Sequence, residues 1–314
     1  MIGAILFVVL PVFLVMAAGY AATRLGRFPP LATDGLMLYT QSFAVPCLLF
    51  RAIVDLDLGT AFNPGMLISF YSGALIAFGL GILGARRIFG HRPGESVAIA
   101  FAALFSNSVL LGLPIMERAF GPDSLAPNFG IISIHAPFCY LVGITTMEFA
   151  RADGRSLGET ARTVARAMFR NALMIGLLLG FLVNLGHLPY PAPLRAGVEM
   201  MANSALPAAL FGLGGVLSRY RIRASLGEAG MISALSLVVH PSIAFALAHW
   251  VFALPIEFVR GCVVTAAMAP GVNAYVFANL YDRGKEQVAS TVLLATALTV
   301  LTASAWLALL DALH

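Results

Sequence analysis

Apolar residues in this chain come in ten long runs separated by short polar segments, and each run is about twenty residues long. Twenty residues of α-helix rise about 30 Å, which is the thickness of the hydrocarbon core of a bilayer. Each run therefore predicts one membrane-spanning helix. The predicted spans are 2–23, 35–54, 65–85, 96–116, 128–149, 171–188, 196–217, 229–252, 259–280 and 287–310.

The composition supports an all-α integral membrane protein. Of the 314 residues, 60% are hydrophobic and only 11% are charged, and the mean hydropathy is +0.89. Soluble domains average about 25% charged residues, so this chain has too few to cover a soluble surface. The net charge of +4 comes from residues confined to loops, which favours a topology signal over nucleic-acid binding.

Most of the basic residues lie on one side of the predicted bundle. Only Arg51, Arg118, Arg195 and Arg260 fall on one side. The other fifteen follow odd-numbered spans, and they are Arg24, Arg27, Arg86, Arg87, Arg92, Arg151, Arg155, Arg162, Arg166, Arg170, Arg219, Arg221, Arg223, Arg283 and Lys285. Because positive loops stay in the cytoplasm, both termini are predicted to face outward.

A sequence repeat divides the chain into two halves. The pattern A-x-P-x-x-L-F occurs from Ala44 to Phe50 and again from Ala205 to Phe211, 161 positions later, and the same offset carries Gly19 onto Gly180. Five spans are an odd number, so the two halves insert in opposite directions, as in many secondary transporters. The predicted divisions are a first five-helix repeat over 1–150, a cytoplasmic linker over 151–170 and an inverted repeat over 171–314.

Spans four and nine are the most irregular, and they occupy corresponding places in the two repeats. Proline and glycine interrupt helices, and a helix broken inside the bilayer exposes N-terminal ends that attract anions. Neither span has an acidic or basic residue in its apolar stretch, so the site suits a ligand that brings its own negative charge. The candidate binding residues are Ser106, Asn107, Ser108, Gly112, Pro114, Pro270, Gly271, Asn273 and Tyr275. Pro-kinked helices whose Asn side chains only satisfy loose carbonyls are the alternative.

Other polar residues within the spans carry weaker signals. The residues around the two repeated prolines could form a second wall of the site, or they could be ordinary helix-packing contacts; they are Gln41, Ser42, Pro46, Asn203, Ser204 and Pro207. His135 and His240 could carry protons, although a neutral histidine hydrogen-bonded in the bundle is the more common case. No His or Cys cluster has metal-ligand spacing, so neither a metal nor a cofactor is predicted.

At these motifs the chain resembles the auxin efflux carrier superfamily, in particular its bacterial malonate and malate transporters, with the plant PIN-type auxin exporters as more distant relatives. The resemblance covers nearly the whole chain. It rests on S-x-A-V-P-x-L-L-F from Ser42 to Phe50, on N-S-V-L-L-G-L-P from Asn107 to Pro114, and on Y-V-F-A-N-L-Y from Tyr275 to Tyr281. The plant pattern has a proline just before the aromatic-Val-Phe of span nine, where this chain has Ala274.

The resemblance implies ten spans, a five-plus-five inverted repeat and an X-shaped crossing of spans four and nine beside a carboxylate site. By its spacing, Asn107 matches the crossing asparagine that donates to the carboxylate. The pairing of one kinked span in each repeat also predicts an elevator-like or rocking exchange, in which helices 3–5 and 8–10 carry the site past a scaffold of helices 1, 2, 6 and 7. A homodimer in the bacterial inner membrane is also implied.

The resulting prediction is a secondary transporter of a small organic anion, such as the dicarboxylates malonate or malate, rather than an enzyme. An anion that moves alone gains about 2.3 kcal/mol per 100 mV on leaving an inside-negative cell, so uptake would need H⁺ or Na⁺ as a coupling ion. A sodium-coupled symporter of the bile-acid type, which shares the architecture, and a non-transporting ligand sensor are the alternatives. An intramembrane enzyme is disfavoured because the acidic residues are scattered singly.

Overall fold

The computed structural model describes residues 2–151, 172–220 and 225–313. The predicted linker over 151–170, apart from the helix end at Arg151, lies outside these residues, as do Arg221 and Arg223. The first half of the chain contains α1 Ile2–Arg24, α2 Pro30–Tyr39, α3 Val45–Val54, α4 Leu58–Ala61, α5 Pro64–Arg87, α6 Pro93–Leu104, α7 Leu113–Phe120 and α8 Ala126–Arg151. The second contains α9 Ala172–Leu185, α10 Ala192–Leu217, α11 Leu226–Ala234, α12 His240–Phe245, α13 Ile256–Ala266, α14 Val272–Tyr281 and α15 Lys285–Asp311.

Seven helical segments in the described part of the chain are long and apolar enough to cross a membrane. They coincide with predicted spans one, two, three, five, seven, eight and ten: Phe7–Arg24, Pro30–Val54, Pro64–Arg87, Pro122–Ala150, Ala192–Leu217, Leu226–Val251 and Lys285–Asp311. Span six coincides with the shorter α9, and spans four and nine are each divided into two helices. The chain is therefore an all-helical, multi-pass protein, while the ten-span inverted repeat stays a prediction.

Three wide π-helical turns lie within the helical spans just before a proline. They cover Thr40–Ala44, Ser108–Gly112 and Leu235–Val239, and Pro46, Pro114 and Pro241 follow two residues later. Because a proline ring clashes with the carbonyl four residues earlier and offers no N–H, a wider turn at that point accommodates it. The prolines in these spans thus widen the helix locally without ending it.

The chain divides into two compact units. One takes Met1–Pro11, Phe62–Thr160 and Tyr220–His314, and the other takes Val12–Ala61 and Ala161–Arg219. Residues 105–107 and 267–271, which interrupt predicted spans four and nine and are called the bridge segments below, both belong to the first unit. The assignment of scaffold and moving helices concerns motion, so it stays a prediction.

Glycines allow helix backbones to approach closely within the second unit, as is typical of membrane helices. A Cβ added to Gly19 would lie 1.9 Å from the Phe211 carbonyl oxygen, and one added to Gly180 would lie 3.0 Å from that of Phe50. Gly19 and Gly180 correspond under the 161-residue offset, and so do Phe50 and Phe211. The glycine of each half therefore contacts the phenylalanine of the other half, which is the exchange that a two-fold relation between repeats would produce.

Candidate functional site

The first bridge segment is a break in the middle of predicted span four. The α6 helix has twelve residues and ends at Leu104, residues 105–107 are not helical, and helical structure resumes at Ser108. Twelve residues of helix rise about 18 Å, so α6 alone is too short to cross a hydrocarbon core of about 30 Å. Asn107 begins the new helix, because its Oδ1 accepts a hydrogen bond from Leu110 N at 3.3 Å.

The second bridge segment is a similar break in span nine. The α13 helix has eleven residues and ends at Ala266. Residues 267–271 separate it from α14, which begins at Val272 after the extended Gly271. The first halves of the two spans are thus nearly equal in length, so both breaks lie at a similar depth along their helices.

The two bridge segments contact each other directly through the main chain. Ser106 and Pro270 form an antiparallel β-bridge, and Asn107 N donates to the Ala269 carbonyl at 2.8 Å. A Cβ added to Gly271 would lie 3.3 Å from Asn107 Cγ. The Asn107 side chain therefore lies against the backbone that leads into α14, next to the beginnings of two helices.

Side chains from neighbouring helices hydrogen-bond the carbonyls that the breaks release. His135 Nε2 donates to the Ser106 carbonyl at 3.2 Å, and Ser236 Oγ donates to the Met268 carbonyl at 3.4 Å. Cys139 Sγ lies 3.6 Å from the Leu104 carbonyl oxygen. In hydrocarbon an unsatisfied backbone group costs several kcal/mol, so these donors are a condition for the breaks to exist.

We expect His135 to act by holding the Ser106 carbonyl. His135→Phe keeps a planar ring but removes the donor, so the free energy of unfolding should fall by about 1–3 kcal/mol, the cost of leaving a buried acceptor unpaired. His135→Gln offers an amide donor and should recover most of that loss. Thermal unfolding of the purified variants measures both effects, and equal stability of the two variants would contradict this role.

Several hydrogen-bond donors in the bridge segments have no partner among the described residues. Ser106 Oγ is buried without one, and no described residue accepts a hydrogen bond from Asn107 Nδ2. The first N–H groups of a helix have no acceptor within the helix, and helices begin here at both Ser108 and Val272. The region therefore combines two positive helix ends with neutral donors, which is the chemistry of an anion site.

The other predicted residues of spans four and nine lie on the same two helix beginnings. Ser108 and Gly112 are buried within the π-helical turn, and Pro114 is buried in the first turn of α7. Asn273 is half-buried in the first turn of α14. Tyr275, also half-buried, packs its ring against Tyr220 with a centroid separation of 5.2 Å.

The residues predicted as a second wall belong to the second unit. Tyr39 and Ser204 share a hydrogen bond of 2.7 Å between their hydroxyls, and Ser204 Oγ donates to the Met201 carbonyl. Arg51 donates to Asn203 Oδ1 at 3.0 Å. Gln41 and Pro207 are exposed, and Ser42 and Pro46 are half-buried.

His240 occupies a different position from His135. Its Nε2 donates to the Phe70 carbonyl at 3.0 Å, and its Nδ1 has no partner in the described part of the chain. The Phe70 ring lies beside both imidazoles, with centroid separations of 5.5 Å to His135 and 4.9 Å to His240. Each histidine therefore uses one nitrogen to hold a backbone carbonyl, and proton transport by either stays a prediction.

The Y-V-F-A-N-L-Y motif packs the two interrupted spans together. Phe277 of α14 stacks on Phe101 of α6, with ring centroids 3.9 Å apart and planes 11° apart, and Tyr281 donates to Glu148 at 3.4 Å. The aromatic stack joins the first half of span four to the second half of span nine, and the Tyr281 hydrogen bond joins α14 to α8.

Sequence reasoning missed the backbone partner of Asn107 and two buried polar side chains. The Ala269 carbonyl carries no signal in a sequence, because every residue has one. Ser236 and Asn128 are both buried, and Asn128 Nδ2 donates to Thr265 Oγ1 at 2.8 Å, just before the break in span nine. Ser236 and Asn128 are polar residues within apolar runs, and this pattern could have identified them from the sequence. In the described residues no group of three or more His, Cys, Asp or Glu could hold a metal ion.

Comparisons with known proteins match the chain over almost its whole length. The model of a family described as "Membrane transport protein" (Mem_trans) matches residues 4–307. A protein of Rhizobium meliloti (strain 1021) named "Putative malonate transporter" is 22% identical over 302 residues, covering 96% of this chain and 94% of the relative. An "Uncharacterized transporter" of Methanothermobacter thermautotrophicus (strain ATCC 29096 / DSM 1053 / JCM 10044 / NBRC 100330 / Delta H) is 27% identical over 305 residues, covering 95% and 96%.

Proposed function

Because the chain belongs to the membrane transport protein family Mem_trans, we propose that it carries a small organic anion across the plasma membrane by alternating access. The observation that supports this most directly is the pairing of two helix beginnings at the bridge segments, beside Asn107 Nδ2, which has no acceptor among the described residues. A carboxylate placed there would accept hydrogen bonds from Asn107 Nδ2, Ser106 Oγ and free backbone N–H groups. The ligand would supply the only full charge on the bridge segments.

The lack of a basic side chain in the bridge segments favours transport over permanent binding. A carboxylate held by Arg or Lys gains a strong charge-assisted bond and leaves slowly. Dipoles and neutral donors hold the same group more weakly, so the ligand can be released on the other side. The name of the Rhizobium relative, a malonate transporter, makes short dicarboxylates the first substrates to test.

Uptake into proteoliposomes tests this proposal. We expect the purified chain to accumulate labelled malonate or malate, to transport a monocarboxylate less well, and not to transport the uncharged diamide of malonate. If no carboxylate crosses while the folded chain is present in the liposomes, the proposed function is wrong, and binding of a carboxylate without flux would favour the ligand sensor.

Ion gradients in the same liposomes distinguish the coupling schemes. A requirement for an inward Na⁺ gradient would identify a sodium symporter, and stimulation by an inward H⁺ gradient would identify proton coupling. Flux that follows the membrane potential alone would identify anion uniport, which runs outward in an inside-negative cell.

The proposal also covers the membrane location, the orientation and the oligomeric state of the protein. The distribution of basic residues supports an inner-membrane protein with both termini outside, and the resemblance supports a homodimer. Cysteine accessibility at the two ends of α15 would test the orientation.

A further inference from the structure

A histidine lies between two carboxylates where predicted spans three and four are joined. His91 lies in the loop between α5 and α6, and its Nδ1 is 3.1 Å from Glu95 Oε2. Its Nε2 is 2.9 Å from Glu228 Oε1, in the first turn of α11. The side chains of His91 and Glu228 are only 13% and 14% exposed, so water competes little for these contacts.

Both contacts are attractive only when the imidazole carries a proton on each nitrogen. A neutral imidazole has one N–H and one lone pair, so it can donate to one carboxylate but must present its lone pair to the other. The imidazolium ion donates to both. We propose that His91, Glu95 and Glu228 form a proton-binding site that fastens the beginning of α6 to α11 when it is occupied.

Burial and the two neighbouring carboxylates have opposite effects on the pKa of His91. Partial burial by itself lowers the pKa of His91, but the hydrogen bonds and the negative charges of Glu228 and Glu95 outweigh it and raise the pKa above the ordinary value. The site therefore holds its proton at a pH where an exposed histidine has lost it. Its stabilising effect is complete below the unfolded pKa of about 6.5 and is lost as the pH rises through the higher folded pKa.

Other charged residues surround the site at the same end of the first unit. Arg86 and Arg87 end α5, and Arg92 follows His91 in the chain. Gly284 packs on Glu95 and Ile99, so the turn that carries Asp282, Arg283 and Lys285 also lies here. Asp282 and Lys285 pair with each other at 2.5 Å. Among the described groups, Glu95 and Glu228 are the ones that contact the His91 ring.

The site has a direct connection to the bridge segments. The same loop is also held by Phe89, because a Cβ added to Gly227 would lie 2.6 Å from its ring. Ser96 Oγ donates to the His91 and Arg92 carbonyls at 3.3 and 3.0 Å, which secures the loop on the first turn of α6. That helix runs without interruption from Pro93 to Leu104, two residues before Ser106. Loss of the proton should therefore loosen the helix that positions the first bridge segment.

Titration of the full-length protein in detergent tests proton binding without reference to transport. In NMR spectra of histidine-labelled protein, we expect the resonance that disappears in His91→Gln to titrate above pH 6.5. Thermal unfolding gives a second measurement: between pH 6 and 9 the wild type should lose about 2 °C or more relative to His91→Gln. Glu228→Gln should reduce this pH dependence, whereas His187→Asn, at an exposed loop histidine, should retain it.

A His91 resonance that titrates at or below pH 6.5, or identical pH dependence of unfolding in the wild type and His91→Gln, would overturn the proton site. The effect on flux rests on the proposed function and is measured separately in proteoliposomes. There, wild-type flux should change at least twofold between pH 6 and 8.5 relative to the flux of His91→Gln. Equal pH profiles of flux would overturn the link to transport. An absence of carboxylate flux in the wild type would overturn the proposed function, while the titration would still decide the proton site.

Discussion

Replacing Asn107 with alanine should reduce carboxylate flux roughly 10- to 100-fold. The Asn107 side chain belongs to the first bridge segment and lies against Gly271 of the second, and its Nδ2 has no acceptor among the described residues. Losing a hydrogen bond to a charged ligand costs about 1.5–3 kcal/mol, which corresponds to this range. Initial uptake rates in proteoliposomes, normalised to the amount of folded protein, measure the effect.

Two control variants separate ligand binding from helix capping. Asn107→Asp keeps an oxygen that can accept from Leu110 N, but it replaces the donor with a negative charge, so the protein should stay folded and still lose flux. Asn63→Ala removes a similar cap, because Asn63 Oδ1 accepts from Met66 N at 3.1 Å at the beginning of α5. Each cap should contribute about 1 kcal/mol to stability, yet only the Asn107 variants should lose transport. Normal flux in Asn107→Asp would show that the amide does not bind the anion.

Replacing Gly271 with valine should reduce flux at least tenfold by displacing the Asn107 side chain. A Cβ at position 271 would lie 3.3–3.4 Å from three atoms of Asn107, which is tighter than ordinary contact, and the two methyl groups of valine need still more room. The backbone of Gly271 is extended, with φ −85° and ψ 177°, so valine adds no backbone strain. The expected loss is therefore steric and confined to the bridge segments.

A smaller side chain at position 271, and the same side chain at a position with free space, serve as controls for Gly271→Val. Gly271→Ala should have an intermediate effect, since Asn107 must move by only a few tenths of an ångström. Gly79→Val places the same bulk on α5, where nothing lies within 4 Å of an added Cβ, and it should transport normally. If Gly271→Val transports as fast as the wild type, close packing of these residues is not required for function.

The interruption in span nine was predictable from particular residues, because Pro270 and Gly271 are poor residues for the interior of a helix. The break in span four lies at residues 105–107, ahead of Pro114, and those three positions hold neither proline nor glycine. Where the helices resume was harder to predict, because it depends on which side chain caps the new beginning. Asn107 caps one of them, whereas Asn273 already lies inside α14.

The sequence did not predict which residues hydrogen-bond or pack against each other in the folded chain. His135 and Ser236 appeared as isolated polar residues in apolar runs, and the carbonyls that they hold exist only once the helices are broken. Likewise, the 161-residue offset related Gly19 to Gly180 and Phe50 to Phe211. It did not indicate that each glycine packs against the phenylalanine of the opposite half. Contacts between residues that are far apart in the sequence can be identified only from the folded structure.

The hydrogen bond from Asn107 N to the Ala269 carbonyl involves main-chain atoms only, so no side-chain substitution removes either group except proline at position 107. Side chains at positions 106, 108 and 273 can therefore be exchanged without separating the two bridge segments. A library of polar replacements at these three positions should yield carriers with altered cargo more often than unfolded chains. The same property would let evolution retune what such a carrier moves while its central scaffold stays intact.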